Sequence, residues 1–188
     1  IKTLPIATAV MLGNHDRGSD LNGQTLKNQI NILGDLYCGW SYREWEIRDI
    51  SVIGARPCSA GGGFYLSDQV KSVYGYLTLE ESAKRIVEAA GKTPKNNPLL
   101  ILSHCGPTGL GSEPESICGR DWKKPSLDWG DKDLALAIDQ IRKQKVPELV
   151  VFGHMHHHLK RGKGSRCSFI KDKFGTSYLN AACVPRKG

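Results

Sequence analysis

The chain has 188 residues, a net charge of +7 and 39% hydrophobic residues. This length is typical of one domain, here residues 1–188, that buries a core of its own, and the hydrophobic content excludes an intrinsically disordered chain. No apolar run approaches the roughly 18 residues that a membrane-spanning helix needs. The sequence therefore does not favour a membrane protein.

The charge and the cysteines narrow the class of partner and the compartment. A positive net charge favours anionic partners such as phosphates. The basic residues are spread along the chain apart from short clusters at 160–166 and 171–173, so nucleic-acid binding is only a minor alternative. The six cysteines form no CxxC pair and no zinc-finger spacing, which predicts reduced thiols in an intracellular protein that is not secreted.

The first predicted elements are a buried strand at 9–12 and a helix at 21–34. Apolar residues in the second segment recur at helical spacing, and Gly34 is suited to end the helix. Further apolar residues at 45–53 indicate two short strands, separated by a turn at 48–49.

Helices and strands then alternate. The predicted helices are at 78–91 and 131–145, and the predicted strands are at 99–102, 149–152, 167–170 and 176–179. Thr78 and Glu81 stand at the spacing of a capping box. The last two strands form a hairpin. This alternation indicates a sheet covered by helices, and hence a mixed α/β fold.

Three of the predicted buried strands end in Asn or His residues. The motifs are Gly13-Asn14-His15-Asp16, Ser103-His104-Cys105 and Gly153-His154-Met155-His156. Asn and His are poor core residues and good metal ligands. Because ligands gather at the carboxyl ends of strands in α/β sheets, the three motifs are predicted to converge on one site.

Each motif also has a structural alternative. The GNHD segment alone is compatible with a turn, since Gly and Asn accept a positive φ and Asp caps helices. His104 alone fits a hydrogen-bonded core histidine, and Cys105 is predicted to pack rather than to act as a thiolate. His154 and His156 would share a face of a strand, or both would point into a cavity from a loop. The order and spacing of the three motifs together favour the metal site.

In this order the motifs resemble those of the calcineurin-like metallophosphoesterases. The resemblance implies a four-layer α-β-β-α sandwich and hydrolysis of a phosphomonoester or phosphodiester substrate. It also implies a dinuclear centre of two divalent metal ions, Mn, Fe or Zn, that activate water and bind the phosphoryl oxygens. Asn14, His104 and His154 would bind one ion, and His156 would bind the other.

The same resemblance implies the catalytic roles. His15 would contact the phosphate or the leaving-group oxygen and act as general acid. Asp16 would orient His15 by accepting its other ring proton. The long segment 105–130 follows a ligand and is predicted to lie over the site, where Arg120 would bind substrate. Trp122 and Trp129 are further candidates there, and a self-packed surface loop is an equal alternative.

Two further family motifs, DxH and GDxxD, do not precede GNHD in this sequence. The resemblance implies that they lie upstream of Ile1, so the chain is expected to be an N-terminally truncated part of the family domain with little activity by itself. The alternative is a non-catalytic scaffold with the same fold, which the sequence upstream of Ile1 would distinguish.

A closer resemblance, carried by residues 103–122, 153–162 and 178–186, is to a subgroup of cyanobacteria and plant chloroplasts. It implies a bacterial cytoplasmic or a chloroplast location. The substrate, the native metals and the oligomeric state stay open.

Overall fold

The computed structural model describes residues 6–45, 49–160 and 164–183. The helices are α1 (Gln24–Leu33), α2 (Asp68–Tyr74), α3 (Leu79–Gly91) and α4 (Lys132–Ile141), with a 3-10 turn at Gly34–Leu36. The strands are β1 (Tyr42–Trp45), β2 (Ile50–Gly54), β3 (Leu99–Leu102), β4 (Leu149–Phe152), β5 (Phe169–Lys171) and β6 (Ser177–Asn180). In this part of the chain, no helix has the length and apolar character needed to cross a membrane.

The strands form a six-stranded sheet in the order β1-β2-β3-β4-β6-β5. Strands β2, β3, β4 and β6 run parallel, and the two edge strands are antiparallel to their neighbours. The predicted α/β fold class is therefore confirmed. The described residues supply this one sheet of the sandwich that the resemblance implies. Because β3 and β4 are parallel neighbours, their carboxyl ends lie side by side, which brings His104 and His154 to the same edge.

One face of the sheet is covered by α3 and α4, which pack against each other, and α3 also packs against β2. On this face Ile101 and Val150 are fully buried, whereas Leu102 and Val151 on the opposite face are only half-buried. Burying a side chain of this size contributes about 1.5–3 kcal/mol. The helix-covered face therefore forms the main core, from which the strand ends project rigidly.

Several local predictions are confirmed by the backbone. Helix α1 ends at Gly34, whose φ of 53° lies in the left-handed region that glycine accepts easily. Helix α3 begins with the full capping box: Thr78 accepts from the Glu81 N–H, and the Glu81 carboxylate accepts from the Thr78 N–H. The hairpin near the carboxyl end is formed by β5 and β6.

The predicted strand at 9–12 is wrong as a regular strand. It is reduced to one bridge between Val10 and Tyr37. The Val10 N–H donates to the Leu36 carbonyl at 2.7 Å, and the Val10 carbonyl accepts from the Cys38 N–H at 3.0 Å. These hydrogen bonds to the 36–38 segment keep it extended up to Gly13.

Helix α2 was not predicted. It has only seven residues, too few for an apolar period to stand out. Its start is set by Ser67, whose hydroxyl accepts from the Val70 N–H at 3.3 Å. The predicted helix at 131–145 is shorter than expected, because α4 ends at Ile141 and residues 142–144 continue as turns.

A buried ionic cluster joins the exit of β2 to the start of α4. The Arg56 guanidinium donates to Asp131 Oδ1 at 2.7 Å and to Asp133 Oδ2 at 2.9 Å. Ser59 Oγ donates to Asp131 at 2.6 Å, and Ser82 Oγ donates to Asp133 at 2.5 Å. This ionic cluster fixes the loop after β2 against α3 and α4.

A candidate metal centre at the strand ends

The GNHD segment forms a tight turn that places Asn14. The Asp16 N–H donates to the Gly13 carbonyl at 3.1 Å, and Asp16 Oδ2 accepts from the Gly13 N–H at 2.7 Å. A Cβ atom at Gly13 would lie 2.6 Å from Cε1 of His104. Only glycine therefore lets this turn approach the end of β3 so closely.

His104 is held where β3 ends. The Ser103 N–H donates to the Val151 carbonyl at 2.9 Å, and the Gly153 N–H donates to the His104 carbonyl at 3.0 Å. The hydrogen-bond ladder between β3 and β4 thus continues through both exits. As a result, the positions of the His104 and His154 backbones are coupled.

His154 has a backbone conformation that is rare for a residue with a side chain. Its φ is 63°, and the Met155 N–H donates to the Gly153 carbonyl at 2.7 Å across it, the i→i+2 bond of a γ-turn. Such strained positions persist where the surrounding structure fixes them, and they are concentrated at functional sites. Asn180 braces this turn by donating to the Met155 carbonyl at 2.6 Å.

The side chains of Asn14, His104 and His154 meet. Nε2 of His104 lies 2.8 Å from Oδ1 of Asn14 and 3.2 Å from Nδ1 of His154. An ion with bonds of about 2.1 Å at right angles holds neighbouring ligand atoms roughly 3.0 Å apart. One amide oxygen and two imidazole nitrogens form a donor set suited to Mn, Fe or Zn. The donor atoms and their separations therefore fit a divalent metal ion.

The two imidazoles are kept neutral. Burial, followed by the neighbouring His15, lowers the pKa of His104 to about 4. Burial also lowers the pKa of His154 to about 4, with smaller contributions from His104, His156 and His15, while a hydrogen bond with the backbone of Ala60 acts in the opposite direction. At neutral pH both rings therefore have free lone pairs, the form that binds metal.

Cys105 lies beside these ligands. One ligand atom each from His104, Cys105 and His154 lie within 4.8 Å of one another. The Cys105 thiol is buried and donates to the Ser59 carbonyl at 3.6 Å, and burial raises its pKa well above the usual value. The geometry is that of a packed neutral thiol.

The other predicted site residues surround this group. His15 is exposed, yet close enough to lower the pKa of both His104 and His154. The predicted hydrogen bond between Asp16 and the His15 ring is not formed in the described part of the chain, where the carboxylate accepts from the Gly13 N–H instead. Among the described residues, the group of His104, Cys105 and His154 does not include His156.

The last predicted site residue, Arg120, is 7% exposed and lies within the 105–130 loop. Its Nη2 donates to the Pro125 carbonyl at 2.5 Å. The long loop is thus folded in its own right, and Arg120 is part of that packing.

Sequence reasoning missed Arg166, which anchors this loop to the centre. Arg166 is 1% exposed and donates to the carbonyls of Pro114, Ser116 and Gly119, and to that of His156 at 3.1 Å. It also pairs with Asp121 at 3.2 Å. In the sequence it belongs to a basic cluster that suggests a solvated surface. Asn180 was detectable in principle, since it ends a strand with a polar side chain as Ser103-His104 does.

The profile of the calcineurin-like phosphoesterase family matches residues 1–158. The chain belongs to this family. A comparison with curated proteins gave no match. Among solved structures, the crystal structure of TT1561 of Thermus thermophilus is similar, with 13% identity and a TM-score of 0.43 over 84% of this chain. The chain covers 54% of that protein, so it spans about half of its length.

Proposed function

We propose that this calcineurin-like phosphoesterase hydrolyses phosphomonoesters or phosphodiesters with a dinuclear centre of divalent metal ions. The proposal rests on three ligand atoms that lie close together. His104 Nε2 lies 2.8 Å from Asn14 Oδ1 and 3.2 Å from His154 Nδ1. Family membership supports metal-dependent hydrolysis of phosphoesters in general.

The ligands divide between two ions in this proposal. Asn14, His104 and His154 hold the first ion, and His156 contributes to the second. When bound, the ions supply an acidified water and neutralise the charge that develops on the phosphoryl oxygens. Among the described residues, no carboxylate joins the group of His104 and His154. The second ion therefore needs ligands beyond those described.

His15 is proposed as the general acid. It is exposed beside the buried ligands, where its imidazole would donate a proton to the leaving-group oxygen of a bound ester. Asp16 is a positioning residue here: its carboxylate closes the turn through the Gly13 N–H and thereby fixes where His15 and Asn14 point. Arg120 is proposed to bind the substrate from the 105–130 loop. The bacterial cytoplasmic or chloroplast location also stays a prediction.

The test is hydrolysis of p-nitrophenyl phosphate and bis-p-nitrophenyl phosphate by the intact Mn²⁺-loaded protein and by two variants of it. We expect His15→Asn to keep the bound metal and to lose about 10²–10⁴-fold in turnover, the usual contribution of a general acid. His154→Ala should lose metal and turnover together. Metal loss in His15→Asn would contradict its role as an acid. Tight metal binding without turnover in the intact wild-type protein would favour the scaffold alternative.

A further inference from the structure

One side of the 105–130 loop is fastened to a loop that contacts the metal centre. Trp129 Nε1 donates to the Ala60 carbonyl at 2.9 Å, and the Gly62 N–H donates to the Trp129 carbonyl at 2.8 Å. A Cβ atom at Gly62 would lie 2.8 Å from the indole ring. The Ala60 backbone also lies close enough to His154 to raise its pKa. Trp129 therefore contacts Ala60, which in turn lies next to the proposed ligand His154.

The other side of the loop is fastened to the segment that follows His156. The Asp121 carboxylate accepts from the Lys160 N–H and pairs with Arg166, which donates to the His156 carbonyl. Trp122 comes next in the chain and packs edge-on against Trp129, with ring centroids 5.2 Å apart and an interplanar angle of 80°. Both indoles are only partly buried, so each keeps aromatic surface open to solvent.

The same cluster contains a cation without a carboxylate partner. The Arg120 guanidinium lies 5.0 Å above the Trp129 ring. Its Nε is buried without a hydrogen-bond partner, and no carboxylate of the described residues lies within ion-pair distance of it. Burying a charge is costly unless it is paired, and the ring face compensates only in part. The cluster therefore combines open aromatic surface with a buried positive charge.

We propose that Trp122, Trp129 and Arg120 form a subsite for the organic group of the substrate, so that the preferred substrate is a phosphoester of a planar aromatic group. The inference rests on the proposed function. The indoles provide a stacking surface beside His154, and Arg120 adds positive charge behind it. An aryl ester and a nucleotide share this chemistry, and the test separates them.

The test compares ligands that carry the same phosphate and differ only in aromatic surface. Affinities for the Mn²⁺-loaded chain are measured by calorimetry and by quenching of tryptophan fluorescence. One pair is adenosine 5′-monophosphate and ribose 5-phosphate, and the other is 1-naphthyl phosphate and phenyl phosphate. We expect the larger aromatic member to bind about tenfold more tightly, as base–aromatic stacking does elsewhere. A preference confined to the first pair indicates a nucleotide, and one confined to the second indicates an aryl ester.

Variants test whether the preference for the larger aromatic ligand depends on the subsite. Trp122→Leu should remove the preference for the larger aromatic member. The matched control is Tyr76→Leu, which removes an aromatic side chain that is 78% exposed, and it should keep the preference. If Trp122→Leu does not fold, the wild-type comparison still decides. Equal affinities within both pairs overturn this inference alone, whereas failure to bind Mn²⁺ overturns the proposed function as well.

Discussion

Two polar clusters lie near the carboxyl ends of the strands of one sheet, and they differ in how their polar groups are paired. In the ionic cluster, Arg56 bonds to both Asp131 and Asp133. In the candidate centre, Asn14, His104 and His154 bring three ligand atoms together, and the two histidines are kept neutral by burial. The first arrangement contains both its cation and its carboxylates. The second offers three ligand atoms to a cation, and we propose that the first cluster serves stability and the second serves function.

The largest expected effect comes from breaking the ionic cluster. Arg56→Met leaves two carboxylates buried without their cation, so the free energy of unfolding should fall by about 3–5 kcal/mol in chemical denaturation. The control is Lys84→Met, which removes an exposed pair with Glu88 at 3.8 Å and should cost less than about 1 kcal/mol. Similar losses in both variants would contradict the structural role of the ionic cluster.

The unfolding free energy of the metal-free protein, measured as a function of pH, tests whether the two histidines of the candidate centre are neutral. The folded state keeps His104 and His154 neutral to a pKa of about 4, below the ordinary value of 6.5, so the unfolded chain binds protons first as the pH falls. The stability that these two neutral histidines contribute is therefore fully present above pH 6.5, and it is lost as the pH falls towards 4. The loss should be about 3 kcal/mol for each histidine.

His154→Asn removes one of these two titrating groups and should flatten the pH dependence of unfolding. The exposed His158 provides the control, since His158→Asn should leave the slope as it is. An unchanged slope in His154→Asn would show that burial does not keep the ligand neutral.

A smaller effect is expected from crowding the centre without removing a ligand. Gly13→Ala places a Cβ atom 2.6 Å from the His104 ring, which must turn aside. Affinity for Mn²⁺ should fall about tenfold, the low end for changes that misorient a ligand. Gly91→Ala is the matched control, because its Cβ would meet no atom within 4 Å. Equal affinities in the two variants would argue against the close contact of Gly13 with His104.

Much of the fold follows from local signals in the sequence. The capping box at Thr78 and the glycine at 34 act within one turn of chain, so their effect is visible without tertiary context. The strand exits at His104 and His154 are visible because a polar residue directly follows a buried apolar run.

The remaining features depend on residues distant in sequence. The 9–12 segment has the composition of a strand, but its ladder is limited to Val10 and Tyr37. Arg166 is buried because carbonyls of the 114–119 segment, about 50 residues away, surround its guanidinium. No local pattern encodes such a contact. The left-handed φ of His154 likewise follows from the γ-turn and from the brace by Asn180.

Titration with Mn²⁺, followed by calorimetry and by electron paramagnetic resonance, tests the central claim most directly. We predict that the wild type binds Mn²⁺ and that Asn14→Ala, His104→Ala and His154→Ala each weaken the same binding event by at least about tenfold. His158→Ala serves as the control and should bind as the wild type does. Binding that is equally tight in the wild type and in all three ligand variants would show that the metal lies elsewhere, and the account of this centre would be wrong.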